Sequence, residues 1–427
     1  MSPSTPAPAT PRRIAIVGSG IAGLTCAHVL SPEHEVVLFE ADDRLGGHSN
    51  TVDVVDPEVG PLAIDTGFIV HNERNYPGLI RLFDELDVAT SPTTMSFGVV
   101  DRARRLEYRA TSPRTIFANR RNLADPAIWR MLGDIPRFWR HARAVLAHPP
   151  TDGASPTLGE FVEGHRYSPA FVTMHLEPML SAIWSSDPAL VAGMPVATLF
   201  RFLDNHGLLG IGNRPQWRYV VGGSRTYVEA LVDRADAKFH TAQPVDAVTR
   251  TADDVTIETA DLRESFDAVI LACHADQALR MLAAPTPDEL AVLGAIRFQP
   301  NAATLHTDVS VLADSPRARA AWNVDLTASE GAPTVTYDLT ELQHLGGSRR
   351  YLLSLNMDDR IDDTQVLARF DYAHPLLDAP AVEAQRLLAD VNGADRVYFC
   401  GAWTGYGFHE DGLRSALDVC ERLGVRW

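Results

Sequence analysis

The sequence predicts an α/β protein of two domains, and three observations carry that reading. The chain has 427 residues, more than one hydrophobic core usually organises. A short β-branched run, Ile14–Val17, passes directly into a glycine-rich turn and a helix-like stretch. Further strand-like runs recur in the middle and in the last forty residues. Apolar residues make up 45% and charged residues 22%, ordinary for a globular chain. The net charge of -17 argues against a general affinity for nucleic acid or anionic membrane, though it says nothing about a local patch.

Residues 1–11 are a Pro/Ala/Ser/Thr tail, expected to be mobile. Arg12 and Arg13 then precede the apolar run Ile14 to Leu30, which mimics an export signal or a membrane span. Gly18, Gly20 and Gly23 interrupt the run, and it is too short to span comfortably. A strand, a tight turn and a helix fit it better. With no other candidate span, a cytoplasmic protein is expected. Gly18-Ser19-Gly20-Ile21-Ala22-Gly23 matches G-x-G-x-x-G, and Val36–Phe39 reads as a second strand ending at Glu40. The first glycine permits the turn, the second admits a pyrophosphate close to the backbone, and the third lets helix and strand pack closely. The helix N-terminus favours the phosphate charge, and Glu40 is spaced to accept hydrogen bonds from a ribose. Strand, turn, helix, strand and acid in register predict a dinucleotide site.

Glu40-Ala41-Asp42-Asp43-Arg44-Leu45-Gly46-Gly47-His48 resembles the E-x-x-x-R-x-G-G-R segment of the flavin-containing amine oxidase and phytoene desaturase superfamily, with His48 in place of the final arginine. Ile64-Asp65-Thr66-Gly67-Phe68 is similar to the D-x-G segment that in those proteins passes close to the flavin. The resemblance implies FAD rather than a nicotinamide cofactor. It also implies a glutathione reductase-type, Rossmann-like FAD domain assembled from residues 1–70, 215–290 and 390–427. Residues 71–214 and 291–389 would form an inserted α+β substrate domain.

In the middle block, Val221-Gly-Gly-Ser-Arg225 precedes a helix expected over Thr226 to Arg234. Val245–Val248, Val255–Thr259 and Phe266–Cys273 read as strands. The resemblance places Val245 against adenine and Ala272 beside the cofactor. At the far end, Arg396–Gly401 reads as a strand and Leu413–Leu423 as a helix. There the resemblance implies that Gly401, Ala402, Asp411, Gly412 and Leu413 approach the ribityl chain and the flavin, where helix N–H groups stabilise anionic reduced flavin. Asp411 can equally be an N-cap with Gly412 as spacer.

His409 and Glu410 are the candidate catalytic pair, one able to exchange protons near neutrality and the other an adjacent acid. The competing reading is a turn that only shapes the ring pocket. Typical amine oxidases of this superfamily keep a lysine near the flavin, yet the sole lysine is Lys238, expected just before a strand that begins near His240 and poorly located for that role. The segments Pro178–Trp184 and Gly405–Gly412 are similar to bacterial amine oxidase-like flavoproteins linked to modified fatty acids. That resemblance implies an FAD-dependent oxidoreductase acting on a hydrophobic acyl chain by desaturation. A true amine oxidase, a redox-neutral double-bond isomerase and a non-catalytic flavoprotein partner of a lipid-modifying enzyme are the rivals.

Residues 101–143 hold eleven arginines against four acids, with apolar residues at helical spacing. Such a segment either contacts anionic lipid at a membrane surface or is an ordinary surface helix with solvated or paired arginines. Cys26, Cys273, Cys400 and Cys420 form no CxxC pair and read as buried free thiols. No metal-ligand spacing stands out, so no metal is expected.

Overall fold

The computed structural model describes residues 11–148, 155–184, 187–212, 214–327 and 334–427. Of the expected mobile tail, residues 1–10 lie outside the described residues. The heart of the molecule is a five-stranded parallel sheet. Its order is Ala237–His240, Glu35–Phe39, Arg13–Val17, Ala268–Leu271 and Val397–Phe399, so distant stretches of chain meet in one sheet.

The short apolar runs form central strands because both of their faces are covered. Ile14 and Ile16 pack on one side, with the helices Ile21–Leu30 and His409–Arg422. Ala15 and Val17 pack on the other, against a three-stranded antiparallel sheet and the helices Ala275–Met281, Pro287–Ala295 and Ala379–Val391. The period of two along one strand thus divides two cores.

A seven-stranded mixed sheet lies beyond, ordered Val366–Pro375, Phe298–His306, Leu352–Leu355, Thr334–Asp338, Trp322–Asp325, Phe97–Asp101 and Leu106–Arg109. A helical layer accompanies it. There the 22-residue helix Pro126–Ala147 packs through Phe138 on Phe161, Phe171 and Phe200. No helix among the described residues is long and apolar enough to cross a membrane.

Three local expectations are corrected. The run Phe266–Cys273 is two strands, Arg263–Phe266 and Ala268–Leu271, in different sheets. The chain changes sheet at Asp267, whose carboxylate accepts a hydrogen bond from the Arg13 amide at 2.7 Å. The last helix begins at His409, four residues before the apolar periodicity shows it, because its first turn is polar. Lys238 lies within an edge strand, exposed and paired with Glu35.

Candidate active site

A cavity of about 1860 Å³ opens at the carboxyl ends of the parallel strands, where Val17, Phe39, Ala272 and Gly401 meet it. Open α/β sheets bind ligands at this edge. Gly18 has φ +102°, and a β-carbon there would come within 2.8 Å of the Ala272 carbonyl oxygen. Gly20 faces open space, with no atom within 4 Å of the position a β-carbon would take. The helix it introduces has no side-chain cap, so its first amides remain available to an anion.

The next segment folds over this turn. The Gly46 amide donates to the carbonyl and hydroxyl oxygens of Ser19, each at 3.1 Å. Arg44 donates to the Gly47 carbonyl at 2.9 Å, while its other terminal nitrogen, Nη1, is buried without a partner. A buried orphan cationic donor beside a glycine cradle suits a pyrophosphate. Glu40 also lines the cavity. One carboxylate oxygen accepts from the amide and hydroxyl of Ser19, the other from the Asp42 amide. Ile21, Ala22, Ala41 and Val245 complete this end of the lining.

Toward the middle, Thr66, Gly67 and Phe68 form one wall. A side chain at Gly67 would collide with the His48 carbonyl, which accepts from the Phe68 amide at 2.9 Å. The Phe68 ring stacks on His409, centroids 3.9 Å apart and planes 19° from parallel. His409 Nε2 lies 3.0 Å from the Ser49 hydroxyl and 3.1 Å from the Tyr227 hydroxyl, and Nδ1 has no hydrogen-bond partner among the described residues. Burial, with a smaller contribution from His71, pushes the His409 pKa down to about 3, so the ring is neutral at physiological pH. His48 lies 4.8 Å from the Tyr372 ring and 5.5 Å from His374, and its buried Nε2 lacks a partner. Burial, then the neighbouring histidines, hold His48 well below its ordinary pKa. Gly401 and Ala402 close this part of the cavity.

Five of the expected site residues do not line the cavity. Gly23 acts through packing, since a β-carbon there would collide with the Gly18 carbonyl. Glu410 is turned away from His409, and its two oxygens accept from the Gly78 and Leu79 amides at 2.9 Å, capping the helix Pro77–Glu85. Asp411 accepts from the Tyr406 and Phe408 amides, fixing the turn before its helix. Gly412 gives room to Ile21, to which a β-carbon would approach within 2.8 Å, and Leu413 is wholly buried in the core. Of the expected pair, His409 alone lines the cavity.

Sequence reasoning did not foresee the far half of the cavity. Its walls carry Leu132, Ile135, Phe138 and Trp139 from the long helix. Phe171, Met179, Ile183 and Phe202 come from neighbouring helices, and Trp322 and Leu353 from the large sheet. The helical stripe on 126–147 was the available signal, but a stripe does not say what it faces. Among the described residues the carboxylates lining the cavity are Glu40, Asp42, Asp43, Asp246 and Asp371, and none stands on these helices. Among the described residues no group of His, Cys, Asp and Glu is placed to hold a metal, and all four cysteines are free.

A glycine cradle at the ends of parallel strands, joined to a cavity far larger than a small-molecule pocket, defines a dinucleotide-binding α/β protein. The family model for flavin containing amine oxidoreductase matches residues 21–327, and the chain belongs to that family. A Mycobacterium tuberculosis protein named as a flavin-containing monoamine oxidase, AofH, is 27% identical over 61% of this chain. The match spans 56% of that relative's length. The coproporphyrinogen III oxidase of Mycobacterium leprae is 25% identical over 67% of this chain and 65% of its own.

Among solved structures, cyclohexylamine oxidase from Brevibacterium oxydans superposes with a TM-score of 0.68 at 16% identity, over 97% of this chain and 100% of its own. A conjugated-linoleic-acid-producing fatty acid isomerase from P. acnes gives 0.64 at 14%, over 97% and 99%. These likenesses are of fold. FAD is the cofactor of this family, and the cradle, the orphan Arg44 nitrogen and the cavity's volume fit it.

Proposed function

We propose that this protein is an FAD-dependent oxidoreductase that desaturates a hydrophobic acyl chain. It would hold the cofactor in a discontinuous unit of residues 1–70, 215–290 and 390–427, beside a substrate unit of 71–214 and 291–389. The observation that carries the substrate reading is the apolar half of the cavity, continuous with the cofactor cradle and free of carboxylates on its helices. FAD, when bound, supplies a two-electron acceptor for a hydride.

The chain's own residues do the rest. Leu132, Ile135, Phe138 and Met179 exclude water and align an extended methylene chain. Phe68, Ser49 and Tyr227 fix the His409 ring, and its neutral imidazole leaves Nδ1 as the position for a proton. A base this weak suffices, because a C–H adjacent to a carbon losing hydride is strongly acidic.

The test is anaerobic absorbance of the yellow protein with detergent-dispersed phospholipid in one cuvette and a panel of amines in another. Bleaching by lipid is expected. Replacing His409 with Ala should slow that bleaching by roughly a hundredfold while bound FAD is retained. An unchanged rate removes the histidine from the chemistry. The second reading, amine oxidation, draws on the relatives named for that activity. Bleaching by amines alone would establish it over the acyl reading.

A further inference from the structure

We infer that the rim of the apolar half of the cavity docks on an anionic phospholipid bilayer, from which the acyl chain enters. This rests on the acyl reading above. The basic segment does not use one face for everything. Its Leu132, Ile135 and Phe138 turn inward to the cavity, and Arg102, Arg109 and Arg137 are bonded to carboxylates and carbonyl groups of the protein.

Four other arginines of the segment are different. The guanidinium groups of Arg114, Arg120, Arg121 and Arg130 are exposed and have no hydrogen-bonding or ion-pair partner among the described residues. The same segment leaves two large apolar side chains in solvent, Leu123 at 51% and Trp129 at 53% exposure. The Trp129 indole N–H donates to the Leu123 carbonyl at 3.0 Å, which holds the two together.

This cluster is continuous with the cavity. The Trp129 ring lies 5.2 Å from that of Phe117, and the adjacent Ile116 lines the cavity. Along the helix, Trp129 stands one turn before Leu132 and two before Pro136, both of which line it as well. Exposed Pro113 and Pro136 are lining residues too, so the cavity reaches solvent here.

Four unpaired cations in a chain of net charge -17 complement anionic headgroups. A tryptophan and a leucine between them match the headgroup–acyl boundary, where an amphipathic ring is favoured. An acidic acyl carrier protein would satisfy the arginines as well, but the exposed Trp129 and Leu123 favour the bilayer.

The test is cosedimentation of the FAD-loaded protein with vesicles of phosphatidylglycerol and phosphatidylcholine, against vesicles of phosphatidylcholine alone. Binding is expected only to the anionic vesicles, and about 0.5 M salt should weaken it. Arg120→Gln with Arg121→Gln should weaken it roughly thirtyfold. Trp129→Ser should also reduce it, with FAD absorbance and melting temperature held in each variant. Equal binding of both vesicle types, wild-type affinity in the double variant, or capture of an acidic acyl carrier without vesicle binding would overturn the bilayer. Flavin bleaching by detergent-dispersed phospholipid without vesicle binding removes this surface and leaves the acyl reading. Vesicle binding without bleaching by dispersed phospholipid does the reverse.

Discussion

Glu410 and His409 are neighbours in sequence and part company in the first turn of one helix. Adjacent helical positions differ by about 100° in direction, so only one of two such residues faces a given cavity. His409 reaches the cavity and Glu410 reaches the Gly78 and Leu79 amides. Glu410→Gln should therefore lower stability by about 1–2 kcal/mol, because an amide offers only one oxygen to two N–H donors. The flavin reduction rate should stay unchanged. A fall in that rate with no loss of melting temperature would return Glu410 to the chemistry. Gly23 shows the complementary case, a residue of the cofactor motif that touches no cavity and is required because the Gly18 carbonyl occupies the space of its side chain.

At the scale of elements, the sequence was most legible where local pattern and burial coincide. Ile14–Val17 and Val36–Phe39 are apolar on both faces, and Gly18–Gly23 has one backbone solution, so strand, turn and helix could be placed from spacing alone. The break at Asp267 was illegible, since apolar residues flank it and the change of sheet depends on a bond to Arg13, far away in sequence. The apolar wall was illegible for the same reason. Leu132 and Ile135 announce a buried stripe but not that the stripe borders a cavity.

Asp65 illustrates how such long-range ties act. Its carboxylate accepts from Thr51 at 2.6 Å, from the Ser224 amide and hydroxyl at 2.8 and 2.7 Å, and from Gln343 at 3.2 Å. Burial outweighs these bonds and raises its pKa from 3.8 to about 6. The folded state thus holds this proton more tightly than the unfolded chain. The associated stability is complete below about pH 4 and is lost as pH rises through about 6. Relative to Asp65→Asn, the wild type should gain about 1.4 kcal/mol between pH 7.5 and pH 5 in chemical unfolding. A flat difference would show that Asp65 has an ordinary pKa.

For the whole molecule, the cofactor cradle is lined by residues from the glycine turn, from Val245, from Ala272 and from Gly401 and Ala402. A ligand spanning these groups stabilises the native state by mass action, by about 2.7 kcal/mol when its concentration is a hundred times its dissociation constant. Stripping FAD should lower the melting temperature, and returning it should restore the loss in a concentration-dependent way. An apoprotein melting at the holoprotein's temperature would mean that the cradle contributes nothing to FAD affinity.

The strand Val397–Phe399 and the wall from Gly401 to His409 belong to the same cofactor-facing edge as the glycine turn at residues 18–23. A ribosome makes the turn first and the closing wall about 380 residues later. While synthesis proceeds, the first half of the nucleotide cradle exists without its edge strand and without the Phe68–His409 stack. The complete cavity lining is therefore available to a flavin only after the chain has been made through His409. Until then the apolar side chains from residues 132–202 that line the finished cavity lack the walls supplied by Trp322, Leu353 and Tyr372, and a chain that exposes such surface is prone to aggregate.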